Sequence, residues 1–169
     1  SSHNLIPNAS FGKIGSNNVP VSFIIMGGNL SNCQLTAWWP VDGSDWALTQ
    51  NGATGLIIQP GSNGIDYFYF DVATPPVSVT LGQRIGFSIY TGSHRAKNAC
   101  FMYLYNSANE IIGNSLLDYN NEELSGGKTL DSFKRLVSYI DIPSGVAYVR
   151  GVIRKFDTKP MYNDSYLFY

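Results

Sequence analysis

An antiparallel all-β sandwich of the jelly-roll kind is the fold this sequence predicts, and three features carry it. Short runs of alternating polar and apolar residues recur, separated by Gly, Pro or Asn signals at roughly 8–12-residue intervals. No stretch holds the 3.6-residue period of an amphipathic helix. Hydrophobic residues reach 44% of the 169 positions while charged ones make up only 14%. A single substantial core is therefore available, and Asn, Ser, Thr, Gly and Tyr furnish much of the surface.

Asn4 to Phe11 (NLIPNASF) reads as an entry strand that Pro7 confines to an edge or an irregular position. The loop GKIGSNNVP leads to a strand over Val21 to Met26, stopped by Gly27-Gly28. Cys33 to Ala37 forms a third short strand leading into a tryptophan-rich segment. Asn51-Gly52 is a hairpin signal between strands at Trp46 to Gln50 and Thr54 to Gln59, and Pro60-Gly61 closes the second. Asp66 to Val72 (DYFYFDV) alternates most clearly, with Phe68, Phe70 and Val72 on one face and Tyr67, Tyr69 and Asp71 on the other. Pro75-Pro76 breaks it.

After VSVTLGQ, the strand from Arg84 to Tyr90 sets Ile85, Phe87 and Ile89 against Arg84, Ser88 and Tyr90. TGSHRAKN is a loop. Ala99 to Tyr105 is apolar on both sides, which marks a central strand with one face in the core and the other under a neighbouring layer or loop. Asn106 to Asn109 turns the chain into EIIGNSLLDYN, and residues 118–131 read as a polar loop. Phe133 to Ile142 is a strand in which Leu136, Ile140 and Ile142 share a face. Pro143-Ser144-Gly145 turns it into Val146 to Lys155, where Val149 and Ile153 oppose Tyr148, Arg150 and Arg154. Phe156 to Asn163 is a loop, and DSYLFY closes the sequence. Residues 4–169 make one domain; Ser1-Ser2-His3 reads as a tag remnant, and both ends look cut from a longer protein.

Composition also excludes function classes. A formal net charge of −1 and the lack of a dense Lys/Arg footprint argue against general nucleic-acid binding. No apolar run approaches the ~20 residues of a membrane helix. Cys33 and Cys100 are too few for a disulfide framework; they form one bridge or remain two buried thiols. Catalytic signatures are missing. His94 stands alone in a loop, no Cys/His pair has metal spacing, and neither Asp42/Asp45 nor Glu122/Glu123 carries a sign of burial.

Several passages resemble jelly-roll carbohydrate-binding modules of the family 4, 9 and 22 type. NLIPNASF is similar to their "N-L-hydrophobic-x-N-x-x-F" opening. VTLGQRIGFSIYTGS is similar to their "L-x-x-G-x-x-Y-x-F-S" strand, and FMYLYNSANEIIG to the hairpin that follows. FKRLVSYIDIPSGVAYVRGVIR is similar to their late strand pair. Such modules are attached to polysaccharide-degrading enzymes and also sit in bacteriophage tail fibres and tailspikes, whose charge-poor texture this sequence shares. The resemblance implies a structural calcium, but Gly12 and Lys13 follow Phe11 where the family places an acid, and the closing acidic pair is reduced to Asn163-Asp164. A hard cation needs six to eight oxygen ligands, so no cofactor is expected, structural calcium being the alternative.

Sugars bind by laying a C–H face on an aromatic ring while amides and carboxylates take the hydroxyls. Two groups suit that chemistry. The first is Trp38, Trp39 and Trp46 with Asp45, in a segment that holds all three tryptophans; of these, Trp46 fits the core best. The second is the outward strand face: Tyr67, Tyr69, Asp71, Arg84, Tyr90, Tyr139, Tyr148 and Arg150, which equally suits a subunit interface. A basic band (Lys128, Lys134, Arg135, Arg150, Arg154, Lys155 and Lys159) is interleaved with Asp131, Asp141 and Asp157 and reads as a mixed solvated face. The expected function is non-catalytic recognition of cell-surface polysaccharide or oligosaccharide by a tail-fibre or tailspike domain, on the virion or otherwise extracellular. The alternative is a structural domain that trimerises or caps a fibre and binds no glycan.

Overall fold

Alternation of apolar residues along each strand decides which face is buried, and the two sheets of this molecule meet along those faces. The computed structural model describes residues 5, 22–27, 33–38, 55–60, 70–94, 98–120, 134–155 and 166–168. Among them are twelve strands and no helix. One sheet runs in the order β1 (Ile24–Gly27), β4 (Phe70–Ala73), β11 (Tyr148–Lys155), β7 (Asn98–Tyr105) and β8 (Ile111–Asn114). To it are added β5 (Val77–Ser78) on β11 and β9 (Asp118–Asn120) on β7, making seven strands. The second, of five strands, runs β10 (Lys134–Asp141), β6 (Arg84–His94), β12 (Tyr166–Phe168), β3 (Gly55–Pro60) and β2 (Cys33–Trp38). All neighbouring strands are antiparallel.

The core is the space between them. Val72, Cys100, Met102, Leu104, Val149 and Ile153 enter it from the larger sheet, and Phe87 and Leu136 from the smaller, with Ile85, Ile89 and Ile140 packed alongside. These are the apolar partners that the period-2 patterns of 84–90, 133–142 and 146–155 select. The sheets approach closely at Gly151, where an added Cβ would lie 2.6 Å from two carbons of the Phe87 ring.

Polar groups close the side of the sandwich. The Met102 N–H donates to Ser115 Oγ at 2.7 Å, and the Ser115 and Ser138 hydroxyls lie 2.7 Å apart. Ser138 in turn donates to the Leu116 carbonyl. Because Ser138 belongs to β10 and Ser115 follows β8, this chain ties the two sheets together. Beside it, the Val137 N–H donates to Asp118 Oδ2 at 2.9 Å. A backbone donor on an edge strand is thereby satisfied.

The element boundaries differ from expectation in a few places. β1 starts at Ile24, and β2 runs one residue further, to Trp38. His94, expected in a loop, is the last residue of β6 and pairs with Tyr166. Asp118–Asn120, expected to open a loop, forms β9 because it pairs with Asn98–Cys100 and so satisfies its backbone. The expected entry strand apart from Leu5, the strand at Trp46 to Gln50 and residues 66–69 lie outside the described residues.

Cys100 carries a free thiol, so it is not bridged to Cys33. Burial, with the Asp118 carboxylate adding to it, pushes that thiol from 9.0 up to about 12. The folded state thus holds the proton more tightly than the unfolded one. The associated stability is complete below pH 9.0 and is lost as pH rises from there toward about 12. Peptide mapping after iodoacetamide treatment at pH 8 should find Cys100 unmodified in native protein and modified in denaturant. Equal labelling in both states would contradict its inert, buried position.

Candidate functional site

The strand residues that do not enter the core from the larger sheet gather on its outer face, where aromatic and charged side chains stand side by side. On β11 these are Tyr148, Arg150, Val152 and Arg154; on β7 they are Ala99, Phe101, Tyr103 and Tyr105. Register places Tyr148 opposite Tyr105, Arg150 opposite Tyr103, Val152 opposite Phe101, and Arg154 opposite both Ala99 and Asp71 of β4. From Tyr148 to Arg154 the strip is ~20 Å long at the usual rise of a strand.

One end of the strip is aromatic. The Tyr105 and Tyr148 rings stack with centroids 4.7 Å apart and planes 9° from parallel. Arg150 lies with its Cζ 6.0 Å from the Tyr105 centroid, and its Nη1 donates to the Thr74 carbonyl at 2.9 Å. Thr74 is itself fixed, since its Oγ1 accepts from Gly151 N at 2.9 Å and donates to the Pro75 carbonyl at 2.9 Å. Burial pushes the Tyr105 phenol up, and the Arg150 cation partly opposes the shift. Tyr105 also donates to the Met26 sulfur at 3.7 Å. That contact spans from β7 to β1 over two intervening strands.

The other end is ionic. Arg154 forks onto Asp71, Nε to Oδ1 at 2.7 Å and Nη2 to Oδ2 at 2.8 Å, and Nη2 also donates to the Tyr103 hydroxyl at 3.0 Å. Its Cζ lies 4.8 Å from the Phe101 ring centroid. The hydrogen bond to Asp71 is the main reason the guanidinium holds its proton even more tightly than usual. Between the two ends, Ala73, Phe101 and Val152 form a small buried cluster with Met26, Tyr103 and Leu117 packed against it. Tyr148, Arg150 and Tyr103 remain half-buried around that cluster.

The expected site residues are divided by this architecture. Arg150 is on the strip, together with Tyr148. Asp71, expected on the outward strand face, does lie on the side opposite Val72 but is only 3% exposed, because it serves Arg154. Arg84 and Tyr139 sit on the outer face of the smaller sheet, on the opposite side of the sandwich, so they share no groove with Arg150. There the Arg84 Cζ is 5.3 Å from the Tyr139 ring centroid, and its Nη1 is 3.7 Å from Asp141 Oδ1, with both side chains largely in water. The Tyr139 ring lies flat on Gly86, where a Cβ would come within 2.6 Å of it.

Tyr90 is on β6 opposite Arg135, and Trp38 ends β2 opposite Gly55. Trp39, Asp45, Trp46, Tyr67 and Tyr69 lie outside the described residues, as do residues 11–13 and 163–164 of the implied calcium site. Among the described residues no group of three or more His, Cys, Asp or Glu side chains is placed to hold a metal. Tyr103 and Tyr105 were missed by the sequence patterns. Their signal was their parity in ACFMYLY, where they alternate with Cys100, Met102 and Leu104.

The two-sheet antiparallel sandwich is similar in fold to solved β-sandwich carbohydrate-binding modules and to a phage tailspike domain. No protein-family model and no curated protein matches the chain. A bacteriophage CBA120 tailspike protein 4 enzymatically active domain matches with a TM-score of 0.63 at 9% identity, over 98% of this chain and 20% of its own. The chain therefore spans about a fifth of the length of that tailspike chain. TmCBM61, solved in complex with β-1,4-galactotriose, matches at 0.55 and 15% identity over 99% of this chain and 97% of its own. A family 4 carbohydrate-binding module matches at 0.56 and 12% identity, over 96% and 94%. At these identities the likeness is one of fold.

Proposed function

We propose that this chain is a non-catalytic glycan-binding module, acting as the receptor-binding or accessory domain of a bacteriophage tail fibre or tailspike that recognises host-surface polysaccharide outside the cell. The observation that carries it is the stacked Tyr105–Tyr148 pair beside Arg150 on the outer face of β7 and β11. A half-buried phenol ring braced by a second ring is a rigid surface for the C–H face of a sugar, and the arginine supplies donors next to it. The module fold supports glycan binding, and the tailspike likeness supports the phage setting.

Glycan-array screening followed by calorimetry tests this. Tyr148→Ala should weaken binding of an array hit by more than ~1 kcal/mol. Tyr139→Ala, on the opposite face, should leave affinity unchanged. The reverse pattern would move the site to the smaller sheet.

The second reading, a structural fibre domain, has its own support. Ile111 and Ile112 of β8 are 49% and 48% exposed, and Leu116 just beyond is 87% exposed. β8 is also an edge strand, an arrangement that favours contact between chains. Sedimentation equilibrium separates the two: a stable trimer lost on Leu116→Glu, with no array hit, favours the structural role.

A further inference from the structure

We infer that the glycan this face takes is acidic, and that Arg150 receives its anionic group. The inference rests on the binding function proposed above and goes further, to the class of sugar.

The two arginines of β11 on this face are differently provided for. Arg154 has a carboxylate, Asp71, held in a two-pronged contact. Arg150 has none among the described residues: its contacts are the Thr74 carbonyl and the Tyr105 ring. Yet Arg150 is half-buried, so part of its hydration shell is already stripped away. A cation in that position gains more from an incoming anion than one in open water, because the attraction is less screened and less of the desolvation cost remains to be met. Arg84 shows the contrast. It is a largely exposed arginine with Asp141 nearby at 3.7 Å, and water screens it.

The guanidinium geometry narrows the ligand. Of its five N–H groups one is bound to Thr74, and the planar fork that remains matches a carboxylate, sulfate or phosphate oxygen pair. The Thr74 contact and the Tyr105 ring hold that fork in place, so little side-chain freedom is lost on binding. Arg150 and Tyr148 are two residues apart on one strand, hence ~7 Å apart on the same face. A sugar ring resting on Tyr148 therefore brings a ring substituent within reach of Arg150. Tyr105 does not compete for the role, since its phenol stays neutral and its hydroxyl is turned to Met26.

The test uses matched pairs of probes on the whole chain: oligogalacturonate and hyaluronan fragments, each beside its carboxyl-reduced form, with chondroitin sulfate and a phosphorylated mannan covering the other anions. At least one acidic probe should bind about 10-fold to 100-fold more tightly than its neutral counterpart, the range of a charge-assisted pair. The preference should shrink as salt is raised. Arg150→Gln should abolish the preference, leaving acidic and neutral forms equal, and Arg150→Lys should keep part of it. Equal binding of acidic and reduced forms by the unaltered chain overturns the inference and leaves glycan binding standing. Binding of none of the probes, with no hit on a neutral array, overturns both. The comparison on the unaltered chain needs no variant, so a misfolded Arg150→Gln does not blunt the test.

Discussion

Arg154→Ala should cost about 3–5 kcal/mol of folding stability, the range for removing one partner of a buried ion pair. The Asp71 side chain is 4% exposed and receives two short N–H contacts from Arg154, whose own side chain is 16% exposed. Removing the guanidinium leaves a carboxylate away from water with its principal donors gone. The loss is asymmetric. Replacing both partners with apolar residues, Arg154→Met with Asp71→Leu, should recover most of the stability, because neither desolvated charge remains. Urea unfolding, compared at constant slope, measures both variants. If Arg154→Ala fell within 1 kcal/mol of the parent, the carboxylate would have to be reaching solvent or another donor, and the pair would not hold β4 against β11.

The second large effect is expected at Gly151→Ala. A single methyl there meets the Phe87 ring at 2.6 Å, a distance at which backbone or ring must move. Gly151 lies in the middle of β11, between β4 and β7, so the backbone has little freedom to shift, and Phe87 is itself buried at 8% exposure. Overpacking of this kind costs about 1–3 kcal/mol. The space belongs to one partner, so the two positions should couple. Phe87→Leu should destabilise the parent yet make Gly151→Ala nearly neutral, a coupling of at least ~1 kcal/mol in a double-mutant cycle. Additive effects would mean that the methyl is accommodated elsewhere.

Which parts of this molecule were legible in the sequence follows from how each signal arises. Alternation is local, so Ile85/Phe87/Ile89, Val149/Ile153 and Leu136/Ile140 could be assigned to the core without coordinates. Which sheet a strand joins is not local. Nothing in the residues themselves separates Arg84 on β6 from Arg150 on β11, and both read as outward-facing arginines until the sheet order puts them on opposite sides. The same limit applies to Asp71. Its parity was right, but its burial depends on Arg154, 83 residues later. Tyr103 and Tyr105 were obscured because ACFMYLY is apolar by composition on both faces, and only its central place between β11 and β8 shows that one of those faces is the outer face of the larger sheet. Ser138 is the converse case. It sits on the core-facing side of β10 between Leu136 and Ile140, tolerated because Ser115 and the Leu116 carbonyl satisfy it.

The place of β12 has a consequence for synthesis. Tyr166–Phe168 lies between β6 and β3, so among the described residues the two halves of the smaller sheet are paired only through it. Without that strand, β10–β6 and β3–β2 have no backbone pairing with each other among the described residues. In a chain emerging from the ribosome, the ladder between β6 and β3 forms only after Tyr166–Phe168 has cleared the exit tunnel.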